Sequence, residues 1–312
     1  MSETAFPDLP GARDALCELP TYFLAQRILE DAGCRVSGIP RLPASGSAVS
    51  AVRGWLESRR DQGLAPPALL YLIPFFHNPC GVSYSHAELL ELVDLAEQFR
   101  THIVFDEPYN DLAFDGDRPP PVACVLQDSS RVLSLVSFSK VLAPGLRTGF
   151  VVAHEDTLFR LYTDSGSIRS GGGANPLGAL VVTDLIESGE LSAHAGATAS
   201  TLGKRMRVLF ESLAAEGLAN KQCAPKGGYF AWVDLGIDTS NPAFLKECEA
   251  SKLSVTPGSA CMISGAKAAD SAQLELAAVA ASRHVRLCVA HTSPDVIRRG
   301  VTMLAQIVRR LR

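Results

Sequence analysis

The chain has 312 residues, enough for one large domain and a smaller one. A hydrophobic content of 47% and a charged content of 20% are those of an ordinary globular protein, and a net charge of −4 implies no nucleic-acid footprint. No apolar run reaches the roughly 18 residues of a membrane span, and Met1 to Pro7 lacks the basic and apolar regions of a signal peptide, so a cytoplasmic protein is expected.

Residues 1–11 read as a loose leader. Strand-like runs follow at 14–19, 34–39, 68–73, 102–106, 131–137 and 148–153. Between them lie helical patterns. One opens at Pro20-Thr21 and runs through Leu29, and another covers 86–99 with apolar residues at helical spacing. Strand alternating with helix predicts a mostly parallel sheet with helices on both faces. Residues 177–216 read as long helical sequence interrupted near Gly189. They lead into a second part with strands at 229–234 and 284–290 and helices at 242–251, 270–279 and 294–311. The expected division is a large domain over 12–190 and a small domain over 191–312. Eight scattered cysteines form no CxxC pair and no metal-ligand spacing, so free thiols in a reducing compartment are expected and no metal. Cys80 is expected to be buried as a small hydrophobe.

Lys140 carries the strongest chemical signal. It ends the run Leu133-Ser134-Leu135-Val136-Ser137-Phe138-Ser139-Lys140, and Arg147 follows seven residues later. A lysine whose amine is desolvated, or placed beside other charges, forms a Schiff base with an aldehyde. Hydroxyls and a guanidinium nearby suit a phosphate dianion. An aldehyde that carries a phosphate is pyridoxal phosphate. Such a ligand needs a carboxylate against its ring nitrogen. Ile103-Val104-Phe105-Asp106-Glu107-Pro108-Tyr109 supplies one at a strand end. It also needs donors for its phenolic oxygen, and Tyr109 and Asn78, in His77-Asn78-Pro79-Cys80-Gly81, are candidates. Each segment is an apolar run, a polar residue, then a Pro or Gly turn. That layout places side chains at the carboxyl ends of parallel strands, where open α/β sheets bind ligands. Taken singly, Asn78-Pro79 is a turn signal, Asp106 a capping residue and Lys140 a solvated lysine. Their joint occurrence is what points to a site.

These segments, followed in order by Ser170 to Pro176, Lys226 to Leu235 and Val285 to Pro294, resemble the class I/II aminotransferases of the fold type I pyridoxal-phosphate superfamily. The similarity is greatest to the aminoadipate and aromatic amino-acid branch, and covers the chain from about Leu19. The resemblance implies a three-layer α/β/α fold with a mostly parallel sheet, plus a smaller C-terminal α+β domain. It implies transfer of an amino group between an α-amino acid and a 2-oxo acid, in a homodimer. By resemblance, Asn78 and Tyr109 bond the phenolic oxygen, and Asp106 keeps the ring nitrogen protonated. Lys140 forms the Schiff base and shuttles the proton. Ser137, Ser139 and Arg147 lie where the family binds phosphate. Arg286 matches the arginine that grips the substrate α-carboxylate, against the alternative of a surface arginine on an edge strand. Tyr22 matches an aromatic that stacks on the ring, against a buried core tyrosine. Gly171 to Pro176 matches a segment near the active site and subunit contact, and Gly227 and Gly228 are read as structural.

The match is expected to lack the front of the family's fold. Residues 1–20 contain no Gly-Ser-Gln-type turn whose amides would cradle the phosphate at a helix N-terminus. The family's first strand lies beside the one at 148–153, whose outer edge is then expected to be exposed. Cys80 replaces a usual threonine, and Leu19 stands where an acidic residue is common. The reading therefore leaves open another pyridoxal enzyme on the same scaffold (a lyase, β-eliminating enzyme or cyclase) or an inactive shortened paralogue.

Overall fold

The computed structural model describes residues 14–41, 47–116, 118–125, 129–172, 175–218, 224–263 and 271–312. The leader expected over 1–11 lies outside the described residues. Short apolar runs form β1 (Asp14–Leu19), β2 (Arg35–Pro40), β3 (Leu69–Leu72), β4 (His102–Asp106), β5 (Val132–Ser137) and β6 (Gly149–Ala153). They make one sheet in the order β2-β1-β3-β4-β5-β6, parallel except for β6, which runs antiparallel to β5.

Strand side chains alternate between two faces. Leu16, Leu70, Leu72, Ile103 and Phe105 enter one apolar cluster. Ala15, Cys17, Leu19, Leu69, Tyr71 and Val104 enter another. A strand buried on both faces reads as a continuous apolar run, as these do. The first cluster is closed by α2 (Ala48–Asp61), through Val49, Val52, Trp55 and Leu56, and by α3 (His86–Phe99). Ser47 and Ser85 start these helices with reciprocal capping boxes. The second cluster is closed by Ala25 and Leu29 of α1 (Phe23–Asp31). This is the expected three-layer α/β/α arrangement.

The helix expected from Pro20 begins three residues later. Thr21 donates its N–H to the Cys261 carbonyl at 2.9 Å, and Tyr22 is extended. That tertiary bond holds the segment out of the first turn.

After β6 come α4 (Glu155–Asp164), the single turn α5 (Gly166–Arg169), α6 (Pro176–Glu187) and α7 (Glu190–Ala215), the last two separated at Gly189 with φ +78°. The second sheet joins β7 (Phe230–Asp234), β8 (Thr256–Pro257) and β9 (His284–Cys288) antiparallel in the order β7-β9-β8. Helices α8 (Pro242–Ala250), α9 (Ser271–Ser282) and α10 (Pro294–Leu311) accompany it. The first apolar cluster continues through Leu202, Met206 and Leu209 of α7 to Val233, Val285 and α10. One core thus couples both sheets.

Among the described residues no strand pairs with the outer side of β6, whose Phe150 and Val151 are exposed. No helix among the described residues is long and apolar enough to cross a membrane. Cys17, Cys80, Cys124, Cys248, Cys261 and Cys288 are free thiols, and Cys80 is buried as expected.

Gly258, just after β8, fixes how closely β8 and β9 approach. A Cβ there would lie 2.0 Å from the Ala281 carbonyl oxygen and 2.8 Å from that of His284. Backbone atoms cannot swing aside. Gly258→Ala should therefore destabilise the fold by about 1–3 kcal/mol, read as a lowered urea midpoint. An unchanged midpoint would show that β8 can shift freely.

Candidate active site

Four adjacent parallel strands, β1, β3, β4 and β5, deliver polar residues just past their carboxyl ends. Tyr22 follows β1, Asn78 follows β3, Asp106 ends β4 with Tyr109 in the next turn, and Ser137 ends β5 ahead of Ser139 and Lys140. β9 of the second sheet brings Arg286 to the same place.

Asp106 is at the centre. The Tyr71 hydroxyl donates to its Oδ2 at 2.5 Å. Burial pushes its carboxyl above the ordinary value, and the Tyr71 hydrogen bond and the Lys140 ammonium only partly oppose this. The site holds a buried carboxylate whose charge the protein compensates incompletely. Tyr109 is buried, and burial, reinforced by the Asp106 charge, pushes its phenol well above the usual range. It stays a neutral hydroxyl. Tyr22 is half-buried and its phenol is also raised, by burial first and then by Asp106, with Arg286 opposing. The Tyr22 ring packs edge-on against Phe23 at 5.5 Å.

Arg286 bridges the two sheets. Its Nη1 donates to Asn78 Oδ1 at 2.9 Å and its Nη2 to Thr256 Oγ1 at 3.2 Å. The guanidinium carbon lies 4.4 Å from the Phe230 ring centre and 5.7 Å from that of Phe23. Its Nε is buried and has no hydrogen-bond partner among the described residues. A half-buried guanidinium beside aromatic faces, held by neutral oxygens on Nη1 and Nη2, keeps its charge and is suited to a carboxylate. The alternative of a solvated edge-strand arginine does not fit this packing.

Ser137, Ser139 and Arg147 also converge. Ser139 N–H donates to Ser137 Oγ at 3.2 Å, and Arg147 Nη1 approaches Ser139 Oγ at 3.5 Å. Arg147 is exposed and left-handed at φ +51°. Asn175 braces its segment, donating to the Leu146 carbonyl at 2.6 Å while capping α6 through Gly178 N–H. Gly173 and Ala174 lie outside the described residues. Lys140 has an exposed side chain, and the Tyr229 hydroxyl pins its carbonyl. Gly228, at φ +76°, sits against Phe76, where a Cβ would lie 2.9 Å from the Phe76 Cβ. Its role is structural, as expected.

The structure thus gathers the residues that the motifs name. It adds Tyr71, Thr256, Tyr229 and Phe230. Tyr71 carried a weak signal, as a hydroxyl in an otherwise apolar strand. Thr256 carried none, because only its register opposite Arg286 gives it a role.

A family model described as aminotransferase class I and II matches residues 9–304, starting ten residues before Leu19, where the motif resemblance starts. The chain is 29% identical over 245 residues to YisV of Bacillus subtilis, named an uncharacterized HTH-type transcriptional regulator, matching 78% of this chain and 48% of that protein. It is 29% identical over 248 residues to aromatic-amino-acid aminotransferase 1 of Thermococcus litoralis, matching 78% and 57% respectively. The chain therefore spans about half the length of these relatives. The crystal structure of a multiple substrate aminotransferase from Thermococcus profundus superposes with a TM-score of 0.81 at 27% identity, covering 99% of this chain and 74% of that one.

The Asp106 environment makes a testable statement about the ligand-free protein. A carboxyl raised on folding holds its proton more tightly in the folded state. Its ionisation therefore weakens the fold as pH rises from the unfolded value, about 3.9, through the raised folded value. Asp106→Asn removes that penalty and keeps an acceptor for Tyr71. The variant should unfold at higher denaturant than wild type at pH 7, with the difference closing as pH falls toward 4. A variant less stable than wild type at neutral pH would contradict the assigned electrostatics.

Proposed function

The chain belongs to the class I and II aminotransferase family, and from that premise we propose that it binds pyridoxal phosphate and transfers an amino group between an α-amino acid and a 2-oxo acid. The observation that carries the reading is Asp106, a largely withdrawn carboxylate at the end of β4 that takes the Tyr71 hydroxyl and, with Lys140 the other charge acting on it, stays raised. A protonated ring nitrogen is the partner such a carboxylate lacks. The donor set fits the rest of the cofactor. Asn78 and Tyr109 offer hydrogen bonds to a phenolic oxygen, and Tyr22 offers an aromatic face. Ser137, Ser139 and Arg147 offer hydroxyls and a guanidinium to a phosphate.

When bound, pyridoxal phosphate supplies an aldehyde and a ring that takes up the electron pair left on the amino acid's α-carbon. Asp106 keeps a proton on the ring nitrogen, which makes the ring a better acceptor. Tyr71 holds that carboxylate in its ionised form. Arg286 takes the substrate carboxylate, and Asn78 and Thr256 hold the guanidinium in place. Lys140 Nζ would hold the cofactor through its aldehyde and would be the base that takes and returns the α-proton. The family relationship supports this reading over a lyase, β-eliminating enzyme or cyclase, and no feature here favours those. The similarity to YisV supports a second reading, a module that binds the same ligands to signal rather than to turn over. The reading also takes the protein as cytoplasmic and homodimeric, with domains meeting near residue 190. Exposed Leu177 and Leu180 on α6, with Phe150 and Val151 on β6, support association.

Three measurements test the proposal. Protein incubated with pyridoxal phosphate and then borohydride should carry the label on the Lys140 peptide, and Lys140→Ala should carry none. Equal labelling of the variant would remove Lys140 from its role. Released 2-oxo acid, one per bound cofactor in single turnover, then separates transfer from mere binding. Arg286→Ala should weaken amino-acid binding by about 2–5 kcal/mol while leaving cofactor binding nearly intact. Equal losses of both would sink the carboxylate assignment.

A further inference from the structure

A second set of ionisable side chains lies behind the site, and the proposed reaction gives it no role. Glu18 of β1 and His77 are fully buried, and Arg41 is nearly so. Glu18 Oε1 accepts the Tyr84 hydroxyl at 2.9 Å and pairs with Arg41 Nε at 2.8 Å. Its Oε2 accepts the Ile73 N–H at 2.8 Å and lies 3.3 Å from His77 Nε2. The Arg41 guanidinium stacks over the Tyr84 ring at 3.6 Å. His77 Nδ1 accepts the Cys80 N–H at 3.4 Å, which leaves the proton of a neutral imidazole on Nε2, facing Glu18.

A buried carboxylate survives only when paired and hydrogen-bonded, and this one accepts the Tyr84 hydroxyl and the Ile73 N–H and is paired with Arg41, while Arg41 Nε and His77 Nε2 face it without a hydrogen bond among the described residues. Its partners are not scattered. Ile73, His77 and Tyr84 are the start, middle and end of one segment, and Asn78 directly follows His77. The segment between β3 and α3 is therefore tied to the end of β1 at three points. Tyr22 lies four residues beyond Glu18 on the other side of that anchor.

We infer that Glu18 is a positioning residue that acts through Asn78. Its carboxylate fixes residues 73–84 so that Asn78 Oδ1 stays on Arg286, which leaves the Asn78 amide protons for the phenolic oxygen of the bound ring. This rests on the cofactor reading above. A merely stabilising ion pair would occupy the same place but would not reach the ring.

The test is the pH titration of the visible absorbance of the protein loaded with pyridoxal phosphate. A donor to the phenolic oxygen favours its deprotonated form, so losing the donor raises the midpoint. The charged and titratable groups facing the ring are Asp106, Lys140, Tyr109, Tyr22 and Arg286. Those facing Glu18 are Arg41, His77 and Tyr84. None of these is altered in the main variants. Asn78→Ala should raise the midpoint by about one pH unit, a tenfold change in the protonation equilibrium. Glu18→Gln should raise it by about half as much or more, and the double variant by no more than Asn78→Ala alone. Tyr84→Phe, which removes a single donor, should give a smaller rise and guards against Glu18→Gln failing to fold. If these variants lower the thermal midpoint but leave the titration unmoved, or if their shifts add fully to that of Asn78→Ala, the inference is overturned. If wild type develops no visible band, the cofactor reading falls and this inference with it.

Discussion

The hydrogen bond from Arg286 to Asn78 is the contact on which the site depends. It joins residues 208 apart in the chain and is made between the two sheets. On one side stands a loop beyond a parallel strand. On the other stands a short antiparallel strand whose partners Trp232 and Thr256 fix its register. Everything that brings β9 to the first sheet, from the core running through α7 to the close approach at Gly258, serves this meeting. The guanidinium is not spent on it. Two of its nitrogens are committed to neutral oxygens, which orient it without neutralising it, so its charge is left for a ligand.

Of the carboxylates withdrawn from solvent near the strand ends, Glu18 and Asp106 have environments that push them apart, while Glu107 is hydrogen-bonded by Ser134, Asn110 and the Val122 N–H. Glu18 would be raised by burial, but His77, Arg41 and the Ile73 amide together bring it below the ordinary range. Asp106 is also buried, yet Tyr71 and Lys140 do not offset the cost, and it stays raised. The first carboxylate is satisfied within the protein. The second is not, and an incompletely paired buried charge in a polar cluster marks a place for a ligand rather than for stability. Contrasting pairs of this kind assign roles more securely than either group alone.

The strands were legible in the sequence because each is a short apolar run bounded by turn residues, and alternation with helices left few topologies. Lys140, Asp106, Asn78 and Arg286 were legible because their segments carry turn and strand signals around a reactive side chain. Tyr71 was not singled out, because on a strand buried on both faces a tyrosine reads as one more large core residue. Its hydroxyl acquires meaning only from Asp106, 35 residues on. Thr256 and Phe230 were hidden for the same reason, since register and packing place them rather than local pattern. The start of α1 was misplaced because Pro20-Thr21 is a good local helix signal, and a bond to Cys261 overrides it. Glu18 went unnoticed because it sits in an apolar strand and its partner Tyr84 lies 66 residues on.

The charge pattern of the assembled site argues for the kind of ligand it takes. Lys140, Arg147 and Arg286 are cationic, and Asp106 is the one anion among the residues that converge there. A ligand carrying a phosphate and a carboxylate complements Arg147 with the one and Arg286 with the other. A protonated ring nitrogen between them complements Asp106. In a partly desolvated cleft each such match is worth more than it would be in water, while each mismatch leaves a buried charge unpaired. A neutral ligand would leave the charges of Arg286 and Asp106 both uncompensated. A simple dianion would satisfy the cations and repel Asp106. The arrangement therefore selects for a ligand that carries both signs of charge in a fixed order, and so links the carboxylate at Asp106 to the guanidinium at Arg286 in one recognition event.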